Sequence, residues 1–464
     1  MDKKFYITTA IDYTDEVIHI GHLYQKTIAD ALARYHRLLG EKVFFLTGTD
    51  EHGGKVEEAA IKAGFGGKEK DFVDQITLAD KKAQESLEVS FNRFIRTTDK
   101  DHVKFCLKFW EKVEKNGDIY LGEYDGIYCE GCEGFIHKSD LIDGKCPYHP
   151  NKDPKTIKEK NYFFKLSKYS QFLKDYLNEH SEFVWPEGRR KEMLSFIDQG
   201  LEDIPISRQR IKWGIPVPND PGQTIYVWFD ALINYLTGDP GGFWPADIHI
   251  LGKDNARFHA ILWPAMLKSA GYELPKTILV NGFLSLNGQK ISKSLGNIIP
   301  TEDLIKQFGA DGLRFYLLKT KSIDTDGDIN LDKIKETYNA DLANGLGNLV
   351  ARISKLCEKE NLEFSLGEKL SFSPKVAEKI KTFALNKALT IIWEKITEEN
   401  KRISENKPWE LTEEKLSQFL KESVKNIRQI AFDLQPFLPK TAEKILTQFS
   451  GPKIKAGSAL FPRI

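Results

Sequence analysis

The sequence predicts an α/β protein: a parallel sheet divided by an inserted segment and followed by an all-α domain. Three observations lead there. Near the N-terminus, β-branched and aromatic text alternates with an amphipathic stretch in the order strand, helix, strand, which is the βαβ unit of a parallel sheet. Strand-like runs then return after an interruption in which cysteines cluster. Beyond about residue 330, no glycine occurs between Gly367 and Gly451, and apolar residues recur at helical spacing.

Taken in order, FYITTAI at 5–11 reads as a buried strand. A helical stretch runs from Gly21 to Leu39, with Leu23, Ile28, Ala29 and Leu32 as its inward positions. KVFFL at 42–46 is the second strand. The segment 116–222 changes character, with clustered cysteines, many aromatics and Pro/Gly turns. TIYVWF at 224–229, DIHIL at 247–251 and TILV at 277–280 read as further strands of the first sheet. Phe383, Leu385, Ala388, Leu389, Ile392 and Trp393 mark one face of a C-terminal helix. The expected domains are therefore 1–115 and 223–330 as the two halves of the sheet domain, 116–222 as the insertion, and 331–464 as the helical domain.

A chain of 464 residues exceeds one ordinary core. Hydrophobic residues at 41% and charged residues at 29% describe a folded globular protein. Lys+Arg and Asp+Glu are equal at 67 each, so net charge makes no case for a nucleic-acid partner. No run approaches the roughly 20 apolar residues of a membrane span, and MDKKFYITTAIDY does not read as a signal peptide. The expectation is a cytoplasmic protein without a membrane partner. Five cysteines, an odd and clustered set, favour a metal over disulfides.

Three motifs carry chemistry. His19-Ile20-Gly21-His22 lies between a strand and a helix. There a glycine lets a ligand approach the backbone, and a helix N-terminus with two imidazoles can receive phosphate. Four residues alone fit two loop histidines equally well. Lys290-Ile291-Ser292-Lys293-Ser294 stands in a loop bounded by Gly288 and Gly296. Cationic charge of this kind stabilises a departing pyrophosphate, although a short Lys/Ser run is usually a solvated loop. Cys129-x2-Cys132 and Cys146-x2-His149 are two closely spaced ligand pairs, the pattern of one tetrahedral Zn²⁺ in a knuckle at about 126–150. His137 is a weaker fourth ligand. Four protein ligands leave no open position, so the zinc is structural.

The histidine and lysine motifs, in this order and on either side of an insertion, resemble the signatures of class I aminoacyl-tRNA synthetases. The family's usual Met is Ile291 here. Further blocks, Thr47-Gly48-Thr49-Asp50-Glu51-His52-Gly53, Tyr226-Val227-Trp228-Phe229-Asp230-Ala231, Gly252-Lys253-Asp254, Phe258-His259 and Trp263-Pro264, resemble the methionyl-tRNA synthetase family over nearly the whole chain. The resemblance implies a Rossmann-type catalytic sheet and an anticodon-binding helical bundle. It implies that His19, Gly21, His22, Lys290 and Lys293 are catalytic, with His19, His22, Asp254 and Lys293 on ATP. It also implies a methionine pocket of Ala10, Ile11, Tyr13, Asp50, Trp228, Tyr235 and His259, with Asp50 holding the ammonium group. Asn348, Arg352 and Trp409 match family positions that contact the anticodon. ATP with Mg²⁺, L-methionine and the methionine tRNA are the implied partners, and a monomer is the implied state. The chain departs from the family at Asp12, Asp15 and Asn255. A leucine, isoleucine, valine or cysteine enzyme is the rival within the class, and a non-catalytic RNA-binding protein the rival outside it. The intact motif histidines and lysines count against the latter.

Overall fold

The computed structural model describes residues 3–130, 134–136, 138–147, 149–291, 298–364 and 369–464. These form two compact units, one of residues 1–18, 41–82 and 91–281, the other of 19–40, 83–90 and 282–464.

The first unit is built on a parallel sheet. Strand Lys4–Thr9 pairs with Lys42–Asp50 on one side and Ile248–Gly252 on the other. Thr277–Asn281 extends the sheet beyond Ile248–Gly252. Asp12–Tyr13 and Arg93–Arg96 both pair with Lys42–Asp50. The central strands are apolar on both faces: Tyr6 and Ile7 are fully buried, as are Phe45, Leu46, Ile250 and Leu279. Such strands read as continuous apolar runs, not alternating ones.

Two expectations are corrected here. TIYVWF at 224–229 is not one strand: Asp220–Ile225 belongs to a separate three-stranded antiparallel sheet, and Val227–Leu232 is a short helix. Every residue of that helix is buried, and IYVWF is an unbroken apolar and aromatic run, so periodicity cannot distinguish strand from helix. Nor is the insertion separate from the sheet, because Val184–Trp185 joins it as an edge strand parallel to Thr277–Asn281. Two residues are too few to show a pattern. The insertion's own framework is an antiparallel pair, Ile119–Cys129 with Lys155–Phe164, flanked by Gly134–Phe135 and Ile204–Pro205.

In the second unit, helix Ile20–Leu38 is joined to helix Thr301–Lys319 by a fully buried ion pair, Arg314 Nη2 to Asp30 Oδ2 at 2.7 Å. Arg314 also donates to the carbonyls of Phe437 (2.8 Å), Pro436 (3.0 Å) and Leu87 (3.3 Å). Every regular element named among the described residues after Asn330 is helical, the longest being Leu385–Asn406 and Glu413–Leu434. No described helix is long and apolar enough to cross a membrane.

Candidate active site

In the first unit the sheet ends at a cluster of aromatic and carboxylate side chains, called the chamber below. Asp50 closes strand Lys42–Asp50, lies beside Tyr13 in the ladder and is 4% exposed. Ala10 is held by its N–H donating to the Ile250 carbonyl at 2.8 Å, and Ile11 packs partly buried on the core. The Tyr13 ring meets the Trp228 indole edge-on at 6.4 Å between centroids. Phe258 lies flat on that indole, 3.8 Å away with the planes 5° apart. His259 stands edge-on to it at 6.0 Å. The indole Nε1 is buried and makes no hydrogen bond among the described residues.

The far wall is ordered by a chain of hydrogen bonds. His259 Nδ1 lies 2.9 Å from the Asn255 carbonyl, which can only accept, so Nδ1 carries the proton. Burial holds the His259 pKa down at about 4, so the ring is neutral and its Nε2 accepts from the Tyr235 hydroxyl at 2.7 Å. Burial pushes the Tyr235 phenol up, and the Asp12 and Asp50 carboxylates push it the same way. The hydroxyl is thus a fixed donor to His259 at neutral pH. Beside it, the His249 ring lies tilted by 30° against Tyr235, 4.1 Å between centroids, and its Nδ1 is 2.6 Å from Thr8 Oγ1. The sequence reading missed His249, although a histidine inside the apolar strand DIHIL was the available signal. His259 falls in a π-helical stretch, Phe258–Leu262, that runs into helix Trp263–Ala270. Pro264 near that helix start cannot donate a helical bond and crowds the preceding turn, and such widened turns recur at functional sites.

Asp254 is exposed on a 3₁₀ turn, Lys253–Asn255. The departures from the family pattern find local places. Asp15 pairs with Lys55 at 2.9 Å, Asn255 contributes its carbonyl, and Asp12 is 7% exposed.

The phosphate-type motifs lie in the second unit. His19 caps helix Ile20–Leu38, its Nδ1 accepting from the Gly21 N–H at 3.1 Å. His22 Nδ1 accepts from the His19 N–H at 3.2 Å, and the rings lie 4.1 Å apart. With both Nδ1 atoms accepting, each ring in its neutral form carries its proton on Nε2. A Cβ on Gly21 would stand 2.8 Å from His19 Cε1, so the small residue makes room for the capping imidazole. Lys290 is exposed at the end of a hairpin, Leu284–Leu286 with Gln289–Lys290. Its turn residues Asn287 and Gly288 have φ of 51° and 76°, the left-handed pair that a tight hairpin requires. Lys293 lies outside the described residues.

In the insertion, Cys129 and Cys146 are buried, and each sulfur lies 3.9 Å from His149 Nδ1. The three ligand atoms lie within 4.8 Å of one another. The edge of a tetrahedron with Zn–S of about 2.3 Å and Zn–N of about 2.0 Å is roughly 3.5 Å, so two sulfurs and an imidazole at these spacings fit a zinc-sized cation. Cys132 and His137 lie outside the described residues. In the helical domain, Asn348 is exposed at the start of helix Asn348–Glu360, with Arg352 half-buried one turn on. Trp409 is 56% exposed, in the 3₁₀ turn Pro408–Glu410.

A parallel sheet, a histidine-capped helix that follows its first strand in the chain and a lysine hairpin that follows Thr277–Asn281 occur in the order that marks a class I aminoacyl-tRNA synthetase. Comparison with known proteins narrows the class. The family described as tRNA synthetases class I (M) matches residues 5–155 and 150–354. A methionine–tRNA ligase of Thermotoga maritima is 41% identical over 96% of this chain and 75% of its own length. One of Caldanaerobacter subterraneus is 39% identical over 100% of this chain and 79% of its own. The Mycobacterium tuberculosis methionyl-tRNA synthetase solved with methionyl-adenylate superposes with a TM-score of 0.92 at 36% identity, covering 99% of this chain and 100% of that one. The chain belongs to the class I (M) family of tRNA synthetases.

Proposed function

We propose that the chain is a methionine–tRNA ligase that works in two steps. The methionine carboxylate attacks the α-phosphorus of ATP, and the bond to the bridging oxygen breaks to release pyrophosphate. The 3′-terminal ribose hydroxyl of the tRNA then attacks the carbonyl of the adenylate, and AMP leaves. The carrying observation is the chamber formed by Asp50 and the Tyr13, Trp228, Phe258, Tyr235 and His259 rings. A thioether packs well against aromatic rings, and a carboxylate holds an ammonium by a charge-assisted bond.

The protein's task in the first step is positioning and charge stabilisation. His19 and His22 act on phosphate oxygens as charge moves to the leaving group, and Lys290 and Lys293 supply cationic charge. Asp254 belongs to the ATP side, and Mg²⁺ serves as the ATP counter-ion. One structural Zn²⁺, on Cys129, Cys132, Cys146 and His149, holds the insertion together. The sheet domain, 1–115 with 223–330, carries catalysis. The helical domain, 331–464, reads the methionine-tRNA anticodon through Asn348, Arg352 and Trp409. The enzyme acts as a cytoplasmic monomer.

The test is ATP–pyrophosphate exchange with each of the twenty amino acids. Methionine alone should support rapid exchange, and equal exchange with leucine or isoleucine overturns the reading.

A further inference from the structure

Behind the chamber, in the same unit, lies a cluster that substrate chemistry does not use. Asp230, on helix Val227–Leu232, is completely buried. One carboxylate oxygen accepts from His52 Nδ1 at 2.6 Å and the other from His102 Nε2 at 2.7 Å. His102 and Cys106 lie one turn apart on helix Lys100–Lys115, both completely buried, with the thiol 3.2 Å from His102 Nε2. Burying a carboxylate in an apolar core is costly unless it is paired. Here the histidines outweigh burial and hold the Asp230 pKa down at about 2. A surface ion pair needs no such arrangement.

The chain positions around the cluster show what it joins. His52 is two residues beyond Asp50, in the loop that leaves strand Lys42–Asp50. Asp230 is two residues beyond Trp228, on the same short helix. That loop is gripped a second time by Trp213, whose carbonyl accepts from the Gly53 N–H at 3.0 Å and whose indole donates to the Glu51 carbonyl. The two segments that carry the carboxylate and the indole of the chamber are therefore tied through one carboxylate, which helix Lys100–Lys115 anchors from behind.

We propose that Asp230, clamped between His52 and His102, is a positioning residue that sets the separation of Asp50 from the Trp228 indole and thereby the affinity for the amino-acid substrate. The proposal rests on the reading that Asp50 and Trp228 bind methionine. His52→Leu removes the donor to Asp230, whereas His52→Asn keeps an amide N–H close to the Nδ1 position. His102→Leu and His102→Gln form the corresponding pair at Nε2. The experiment is ATP–pyrophosphate exchange on active-site-titrated holoenzyme, with KM for methionine, KM for ATP, kcat and melting temperature measured for each variant. His52→Leu should raise KM for methionine about tenfold or more with KM for ATP within about twofold, the signature of lost substrate binding. His52→Asn should recover most of that affinity.

A fall in melting temperature and active fraction with KM for methionine unchanged overturns the proposal, because the cluster is then a structural anchor. If His52→Leu does not fold, the His102→Gln and His102→Leu comparison decides by the same readout. Asp50→Asn separates the two levels. If it leaves KM for methionine unchanged, the binding reading fails. If it raises that KM while the leucine variants do not, the positioning proposal alone fails. Metal analysis closes the remaining alternative: a metal equivalent lost on Cys106→Ala makes His102, Cys106 and Asp230 a metal site and overturns the proposal.

Discussion

At the scale of the residue, the structure assigns protons. His19 and His22 each accept a helix-cap bond at Nδ1, which puts the proton of the neutral ring on Nε2. Changing either to Ala should lower kcat for adenylate formation by roughly 10²-fold, the usual loss for one donor aimed at developing charge. Steady-state exchange kinetics check this, and an effect confined to KM would assign both rings to ground-state binding. His259 gives a pH prediction. Burial holds its folded pKa at about 4, below the ordinary histidine value of 6.5. Between these values the unfolded chain binds a proton that the folded chain refuses, so stability falls as pH drops from 6.5 towards 4 and is flat in this respect above 6.5. At 1.36 kcal/mol per pKa unit the full effect is about 3 kcal/mol. His259→Gln should flatten this part of the urea-unfolding profile against pH.

At the scale of the element, exposure separates function from packing. Trp409 is a large aromatic 56% exposed on a short turn that begins with proline. Trp409→Ala should leave the melting temperature and ATP–pyrophosphate exchange near wild type, because it removes no core contact. It should weaken tRNA binding by about 1–3 kcal/mol if an anticodon base stacks there. Charging assays against KM for the tRNA check it, and a joint loss of exchange and stability would make Trp409 a packing residue. The insertion's long strand pair Ile119–Cys129 and Lys155–Phe164 ends at the Cys129 side of the cysteine–histidine group. Metal analysis of chelator-free protein should find one Zn²⁺ per chain. Its removal should depress aminoacylation first and alter exchange only through the loosened fold.

At the scale of the whole molecule, the second unit depends on one buried guanidinium. Arg314 and Asp30 are both 0% exposed, and Arg314 also serves three carbonyls from two other segments. Removing one partner leaves a buried charge uncompensated, so Arg314→Ala should cost about 3–5 kcal/mol in urea unfolding. The double variant Arg314→Met with Asp30→Leu should cost less, because it leaves no orphaned charge. A smaller loss for the single variant than for the double would show that the pair is not coupled. Asp30 is held below the usual carboxylate range: burial opposes ionisation, but Arg314 and Arg34 outweigh it. This contribution is therefore present at neutral pH and is lost as acid titrates the carboxylate.

The sequence by itself determined the class of fold and the three motifs. Strand periodicity, cysteine spacing and short blocks of unusual text are local properties, and His19, His22, Cys146 and His149 are all readable within a few neighbours. What tertiary structure decided lies between segments far apart in the chain. It broke TIYVWF into strand and helix, because a run buried on every side carries no period. It added Val184–Trp185 to the sheet, because a two-residue edge strand is defined by its partner and not by its text. It set the His19 ring so close to Gly21 that a Cβ there would stand 2.8 Å from Cε1. It also assembled His52, His102 and Asp230, 178 and 128 residues apart from carboxylate to imidazole. A buried charge must find its partners wherever the chain brings them, and one chain's linear order records nothing of that meeting.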